Sequence, residues 1–412
     1  MTLHPREGLG GSLLSRRRLL QLGALAAAAG TGALAGCSGR PTTTAESPVR
    51  LSRPDNPVRL PRFDDVPAIA DGLQPETGGT LKVFNYPEYL SPDVLTAFGK
   101  QYGVDVEVTT FTTQEEAIAK LRTAGIAFDV YFPTVDIIGK VVAGKLLQPL
   151  NHSYLPNLGN AWPQLRDPFY DQGSQYSVPY AAFTTGVGYR TDVVSSVPPR
   201  GWDLLFDSVY KGKVYILDDP REAISMALLR AGQTDLNTED SALIRAAGQM
   251  LASLIDAVNV KVGITGYQLL ADGQASVHQV WSGDIINAQY YLPEDVGNEV
   301  LGYWYPQDLK GPVGTDTIAI PASADKPVLA HVFLNHLLDN DVAMENFSYT
   351  GYQPALTVAT PERLVADEYV PEHLVAAVIT PDHYSKGLQE LQLSADGDAL
   401  WLDEWAKFRA GS

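Results

Sequence analysis

The sequence predicts an α/β fold in two lobes, and three observations carry that prediction. From residue 81 onward, short apolar strands alternate with amphipathic helices, the pattern of a mostly parallel sheet covered by helices on both faces. The chain has 412 residues, about two to three times an ordinary domain, and 45% of them are hydrophobic, enough for more than one core. The alternation also breaks after residue 145 and resumes at 213, without an internal repeat.

Each element has a local reason. Residues 81–86 are the first expected strand. Ser91-Pro92 supplies an N-cap and a proline at the first helical position, and Val94, Leu95, Phe98 and Tyr102 give the helix one apolar face until Gly103 stops it. Residues 104–111 alternate apolar and polar, as a half-buried strand does. Thr113-Gln114-Glu115-Glu116 is a capping box for a helix carrying Ile118 and Leu121 and ending at Gly125. A third strand is expected over 128–133 and a helix over 136–145. The second run gives a strand at 213–217 and helices at 220–231 and 239–258. Strands at 275–281, 300–304 and 315–320 follow, then a helix at 325–339.

The first forty residues follow another logic. Arg16, Arg17 and Arg18 precede an apolar run over 19–36 built mainly from Leu, Ala and Gly, the order of a secretory signal. Ser15-Arg16-Arg17-Arg18-Leu19-Leu20 resembles a twin-arginine export signal. Leu34-Ala35-Gly36-Cys37 resembles a bacterial lipobox, whose cysteine is lipidated and becomes the mature N-terminus. Cys37 is the sole cysteine, which excludes an intramolecular disulfide, a CxxC redox pair and a multi-cysteine metal site. Residues 1–36 are therefore expected to be an export signal. Residues 37–79, rich in Pro, Thr, Ser, Arg and Asp, are expected to be a flexible tether to the outer face of the cell membrane.

Charge narrows the partners. Thirty basic against 48 acidic residues leave a formal charge of −18, which argues against nucleic acid and favours cationic ligands. Enzyme motifs fail on inspection. The run from Gly139 to Lys145 has the start of a phosphate loop, but Leu146 stands where a magnesium-binding hydroxyl is needed, within a helical pattern. Gly186-Val187-Gly188 lacks the third glycine of a dinucleotide fingerprint, because Thr191 occupies it. There is no HExxH or GxSxG, and the seven histidines are scattered. No metal, cofactor or catalytic residue is expected, although spacing alone leaves a hydrolase with a paired-carboxylate mechanism as an alternative.

Acids and aromatics instead meet at strand-to-helix junctions, the carboxyl ends where open α/β sheets bind ligands. Asn85-Tyr86-Pro87-Glu88-Tyr89 sets two aromatic rings around a carboxylate, which suits an amine through ion pairing and cation–π attraction. Core packing would use Tyr86 and Tyr89 equally well. Asp219 and Glu222 fall on one face of a first helical turn, where helix capping also favours acids. Trp281 precedes Ser282-Gly283-Asp284, Asp316 opens an apolar strand, and Tyr352 lies in the turn Gly351-Tyr352-Gln353-Pro354.

In that order, the motifs resemble the polyamine-binding (spermidine/putrescine) proteins of ABC importers. The resemblance runs from about Leu81 to Arg409. It is carried by 85–89, 128–134, 177–180, 218–222, 281–284, 316–321 and 351–354. It implies a two-lobed type II periplasmic-binding-protein fold with a ligand cleft between the lobes. The N-terminal lobe would comprise 80–184 and 315–360, and the C-terminal lobe 185–314 and 361–412, with crossings near Thr184, Gly314 and Thr360. It further implies a ligand set of Tyr86, Glu88, Tyr89, Thr134, Asp136, Asp219, Glu222, Trp281, Asp316, Tyr352 and Gln392, in which acids take ammonium groups and rings cover methylenes. The implied partners are a polyamine, an ABC permease and, through Cys37, the membrane, with the protein a monomer. Three positions depart from the pattern. Gly314 replaces an aromatic residue two before the inner acid, Asp136 replaces a tyrosine, and Pro87 replaces a hydroxyl residue. These departures leave another organic cation, an amino-acid derivative or a sugar as the alternative ligand on the same fold.

Overall fold

A single long strand runs through the middle of the sheet and belongs to both of its halves. In the computed structural model, residues 51–411 are described, so the expected export signal, Cys37 and the first part of the expected tether lie outside the described residues. In chain order the strands are β1 (Thr80–Asn85), β2 (Asp105–Thr110), β3 (Val130–Tyr131), β4 (Ser177–Arg190), β5 (Val214–Ile216), β6 (Lys261–Val262), β7 (Val277–Trp281), β8 (Leu301–Trp304), β9 (Val313–Ala319) and β10 (Gln353–Pro354). They lie in the order β2-β1-β3-β9-β4-β7-β5-β6, with β8 and β10 also paired to β4.

The first part of β4 pairs antiparallel with β9, from Ser177↔Ala319 to Thr184↔Val313, with a register shift between Pro179 and Ala181 that leaves Tyr180 out of the ladder. From Thr185 onward its partners are β7 and β8. The change of partner falls between Thr184 and Thr185, beside the start of β9. β10 pairs with β4 at Ala181 and Ala182, and the helix Pro361–Ala366 then puts Leu364 into a core with Val280, Ile285 and Tyr303.

The expected mostly parallel sheet is thus corrected to a mixed one. β1 and β5 pair in parallel with their neighbours, whereas β4 and β9 form an antiparallel centre. The reason is geometric: one strand leaves the first half of the sheet and the other returns to it, so the two must run in opposite directions. β4 itself has no alternation, since it is buried throughout from Ser177 to Gly188 except at Phe183, and period-2 patterning does not reveal such a strand.

Helix ends follow the sequence closely. Gly103 adopts φ 66° and its N–H bonds to the Gly99 carbonyl, closing the helix Pro92–Tyr102. Thr113 accepts from the Glu116 N–H, but the Glu116 carboxylate reaches back to Thr112 rather than Thr113, so the capping box is shifted by one residue on that side. That helix ends at Leu121, short of Gly125. The helix Ala395–Gly411 was not expected and inserts Trp401 and Phe408 into a core with Val214, Ile224 and Leu251. On the other side of the crossing, Leu81, Val83, Phe98, Ile318 and Phe333 form a separate core. Full burial of each such side chain contributes about 1.5–3 kcal/mol.

The expected tether is ordered from residue 51. Val58 exchanges backbone hydrogen bonds with Phe169 and Gln172 at 2.8 and 3.1 Å. Leu60 is 7% exposed in a core with Phe128 and Tyr131. Glu76 accepts from the N–H groups of Val328 and Leu329, satisfying the open end of the helix Pro327–Leu337. The mean composition of 37–79 is polar, and averaging hides Val58, Leu60 and Phe63, which together suffice to lay the segment along the protein as a strap.

Candidate functional site

The carboxyl ends of β1, β3, β5 and β7, together with β4 and β9, converge on a row of rings and carboxylates. After β1 the chain turns at Pro87 and Glu88, whose φ of 58° is left-handed, and this turn sends Tyr89 inward while Glu88 stays outside. Tyr180 on β4 donates to the Tyr89 carbonyl and accepts from Asn346 at 2.7 Å, and Asn346 accepts from Ser91 N–H. The loop is therefore held where it enters the following helix. β9 is fastened to the end of β3 by Thr317, whose backbone N–H and hydroxyl both reach the Pro133 carbonyl, so Asp316 lies beside Thr134.

The rings form a chain. Tyr86 meets Tyr89 edge-on at 5.9 Å, and Tyr89 meets Tyr352 at 4.8 Å. Tyr352 meets Phe183 at 6.5 Å, and Phe183 meets Trp281 at 6.5 Å. A carboxylate sits on the polar handle of three of them. Tyr89 donates to Asp316 at 2.6 Å, Tyr352 donates to Asp284 at 2.8 Å, and the Trp281 indole donates to Glu222 at 2.7 Å. Glu222 also accepts from the hydroxyl of Thr185, the first residue of β4 past its change of partner.

These acids are buried without a cation. Glu222 is 7% exposed and its Oε2 has no hydrogen-bond partner; Asp284 is 3% exposed and its Oδ2 has none. Among the described residues, neither they nor Asp316 forms an ion pair. Burial pushes the Asp316 carboxyl up to about 7, against the Tyr89 hydrogen bond and with the Asp136 charge adding. Burial likewise takes Asp284 to about 7, against the bond from Tyr352. Glu222 is driven well above the carboxylate range by burial, then by the charges of Glu390 and Asp219. Asp219 is raised by burial, against the N–H groups of Glu222 and Arg221 that it caps. Glu390 is raised by burial too, partly offset by Arg221, and accepts from the Ser225 hydroxyl at 2.7 Å. A cation entering this cleft would meet carboxyl groups that ionise in its favour, with ring faces between them.

The structure brings Tyr86, Tyr89, Thr134, Asp136, Asp219, Glu222, Trp281, Asp316 and Tyr352 to this region. It does not bring Glu88 there: that side chain is exposed and its carboxylate accepts from Tyr291 at 3.2 Å and Tyr349 at 3.5 Å. Gln392 is buried with its side-chain oxygen against Gly139, 2.6 Å from where a Cβ there would stand. Cys37 lies outside the described residues. Sequence reasoning missed Glu390, Phe183 and Thr185. Phe183 and Thr185 sit in a strand without alternation, and Glu390 lies in a coil brought back to the site only by the fold. Asp284 was marked by its junction with Trp281 but given no role. A groove of about 640 Å³ between the helix Pro92–Tyr102 and β2, lined by Leu95, Lys100 and Asp105, gathers none of the expected ligand residues.

Comparison with known proteins fits this geometry. The family model for bacterial extracellular solute-binding protein matches residues 93–371. The chain is 30% identical over 276 residues to spermidine/putrescine-binding periplasmic protein 1 of Haemophilus influenzae, covering 66% of this chain and 74% of that one. It is 28% identical over 334 residues to a spermidine/putrescine-binding periplasmic protein of Salmonella typhimurium, covering 81% and 92%. A solved structure from Listeria monocytogenes, described as a spermidine/putrescine ABC transporter, matches with a TM-score of 0.70 at 27% identity, over 80% of this chain and 98% of that one. With its α/β architecture in two lobes and a family match over most of its length, the chain belongs to the bacterial extracellular solute-binding proteins.

Proposed function

We propose that this protein captures a polyamine of the spermidine/putrescine class outside the cytoplasm and delivers it to the permease of an ABC importer. The observation that carries the reading is the row of five rings whose polar ends hold Asp316, Asp284 and Glu222, buried carboxyls without a cation. A polyamine presents ammonium groups separated by methylenes. Carboxylates stabilise the former, and ring faces cover the latter without stranding a polar atom.

In this reading the lobes, 80–184 with 315–360 and 185–314 with 361–412, close over the ligand by a hinge motion about the crossing strands. Thr185 connects that hinge to the site, because its hydroxyl bonds Glu222 two residues beyond the start of the helix Pro220–Arg230. Export through residues 1–36, a lipid on Cys37 and a monomeric state belong to the same proposal. The ligand undergoes no reaction.

Calorimetric titration of residues 38–412 with putrescine, spermidine, spermine and a neutral sugar tests it. Saturable one-to-one binding of an amine, absent for the sugar, is expected. Binding of the sugar alone would overturn the polyamine reading, and release of a reaction product during incubation would favour the carboxylate-pair hydrolase.

A further inference from the structure

Phe183 stands apart from the rest of β4. Every other residue from Ser177 to Gly188 is buried, whereas Phe183 is half-buried. A large apolar ring in a central strand thus keeps part of its surface accessible. Its antiparallel partner is Gly314 on β9. Directly opposed residues project to the same face of a sheet, so the two positions compete for one volume. A Cβ placed on Gly314 would come within 2.3 Å of the Phe183 ring. An aromatic side chain can stand at one of these positions, not at both.

We infer that Phe183 is a specificity-determining wall of the ligand cleft, supplying from β4 the aromatic surface that Gly314 lacks on β9. The inference rests on the polyamine reading. The ring lies between Trp281 and Tyr352, 6.5 Å from each and nearly perpendicular to both. It thus fills the interval between the carboxylate held by Trp281 and those held by Tyr352 and Tyr89. Unlike its neighbours in the row, it has no polar atom. What it offers a ligand is a flat apolar face midway between charged ends, where the methylene linker of a diamine or triamine must pass. Gly314 is then no vacancy in the wall, but the condition for the ring's presence opposite.

The test titrates wild type, Phe183→Ala, Phe183→Leu, Gly314→Trp and the exchange pair Phe183→Gly with Gly314→Trp, each with putrescine and spermidine. Melting curves without ligand accompany them. Phe183→Ala is expected to weaken both amines about tenfold, as loss of a ring face over a partly desolvated cation and its linker does. Phe183→Leu should recover only part of that, and Gly314→Trp alone should disrupt the site by collision. The exchange pair should regain most of the affinity. Leucine binding at wild-type strength would overturn the claim that a ring is needed, and it decides the matter even where the alanine variant unfolds. Alanine binding at wild-type strength would remove Phe183 from the wall altogether. If wild type bound neither amine, the polyamine reading would fall first and this inference with it.

Discussion

The two ends of the ring row solve the same problem in different ways. Around Asp316, the acid is held by Tyr89, whose loop is fastened through Tyr180 and Asn346, and Asp136 is its charged neighbour. Around Glu222, the charges of Glu390 and Asp219 make a crowd of three acids, and one oxygen of Glu222 is left without a partner. The first end is fixed in position before a ligand arrives. The second carries an electrostatic cost that a cation would relieve. An acid held in place by one tyrosine gives a defined position for one ammonium, whereas the crowded end can share a charge among several oxygens and tolerate the loss of one.

That contrast is most exposed to substitution at the two acids. Asp316→Asn should weaken polyamine binding by more than about a hundredfold, the scale expected when one partner of a buried charge pair is lost. Glu222→Gln should cost about tenfold, because Glu390 and Asp219 remain beside the same ammonium. Titration calorimetry of both variants ranks them, and a larger loss for Glu222→Gln would reverse the comparison. Glu222→Gln should also raise the melting temperature of the ligand-free protein by relieving crowding.

Both ends predict a pH dependence whose sign follows from burial. Asp316 and Asp284 titrate near 7 in the folded protein and near the ordinary aspartate value when unfolded. Their stabilising contribution is therefore fully present below about pH 4 and is lost as pH rises through about 7. Each group accounts for up to about 4 kcal/mol, from roughly three pKa units at 1.36 kcal/mol each. The ligand-free protein should accordingly melt lower at pH 7.5 than at pH 5.5, and Asp284→Asn should flatten that slope. Ligand binding runs the other way. Affinity should rise from pH 5.5 to 7.5 with proton release, read from the heat of binding in buffers of different ionisation enthalpy. A slope unchanged in Asp284→Asn would remove that residue from the account.

The strap sharpens the comparison from outside the cleft, because it bears on one lobe's core rather than on either acid. Leu60→Ala should lower stability by about 2–3 kcal/mol, the cost of truncating a buried leucine, while leaving polyamine affinity within about twofold at 25 °C. Denaturant melts and titration separate the two readouts. Loss of affinity without loss of stability would mean that the strap reports to the site.

How much of this was legible in the residues follows from where each signal was local. Pro92, Gly103, Thr113 and Asp219 set element ends through local backbone conformation or contacts within a few residues, and a sequence displays such signals, whereas Ser91 stands at the N-cap without a side-chain cap bond. The acids and rings at strand ends were visible for the same reason. β4 was not, because a strand buried on both faces shows no alternation, and Phe183 was hidden with it. Glu390 reaches Ser225 across 165 residues, and nothing near it in the chain marks that return. The strap was missed because three apolar side chains were averaged away in a polar segment.

Glu88 is the case in which resemblance and geometry part, and it carries the smallest expected effect. By position in the motif it would take an ammonium group, between two rings that do line the cleft. Its left-handed backbone turns the side chain outward, where it is exposed and accepts hydrogen bonds from Tyr291 and Tyr349, each long and open to solvent. Exposed contacts of this kind contribute about 0–1 kcal/mol, so Glu88→Ala should change polyamine affinity by no more than about threefold. The two tyrosines come from opposite sides of the crossing: Tyr291 follows the helix Ser282–Asn287, and Tyr349 lies on the helix Asn340–Thr350. Their shared bond to Glu88 joins elements from the two sides of the crossing, so under the proposed function its loss should appear in the rate of ligand release before it appears in affinity. Stopped-flow displacement of bound spermidine measures that rate. A tenfold loss of affinity with an unchanged release rate would return Glu88 to the binding set and make the two ends of the row more alike than their hydrogen bonds imply.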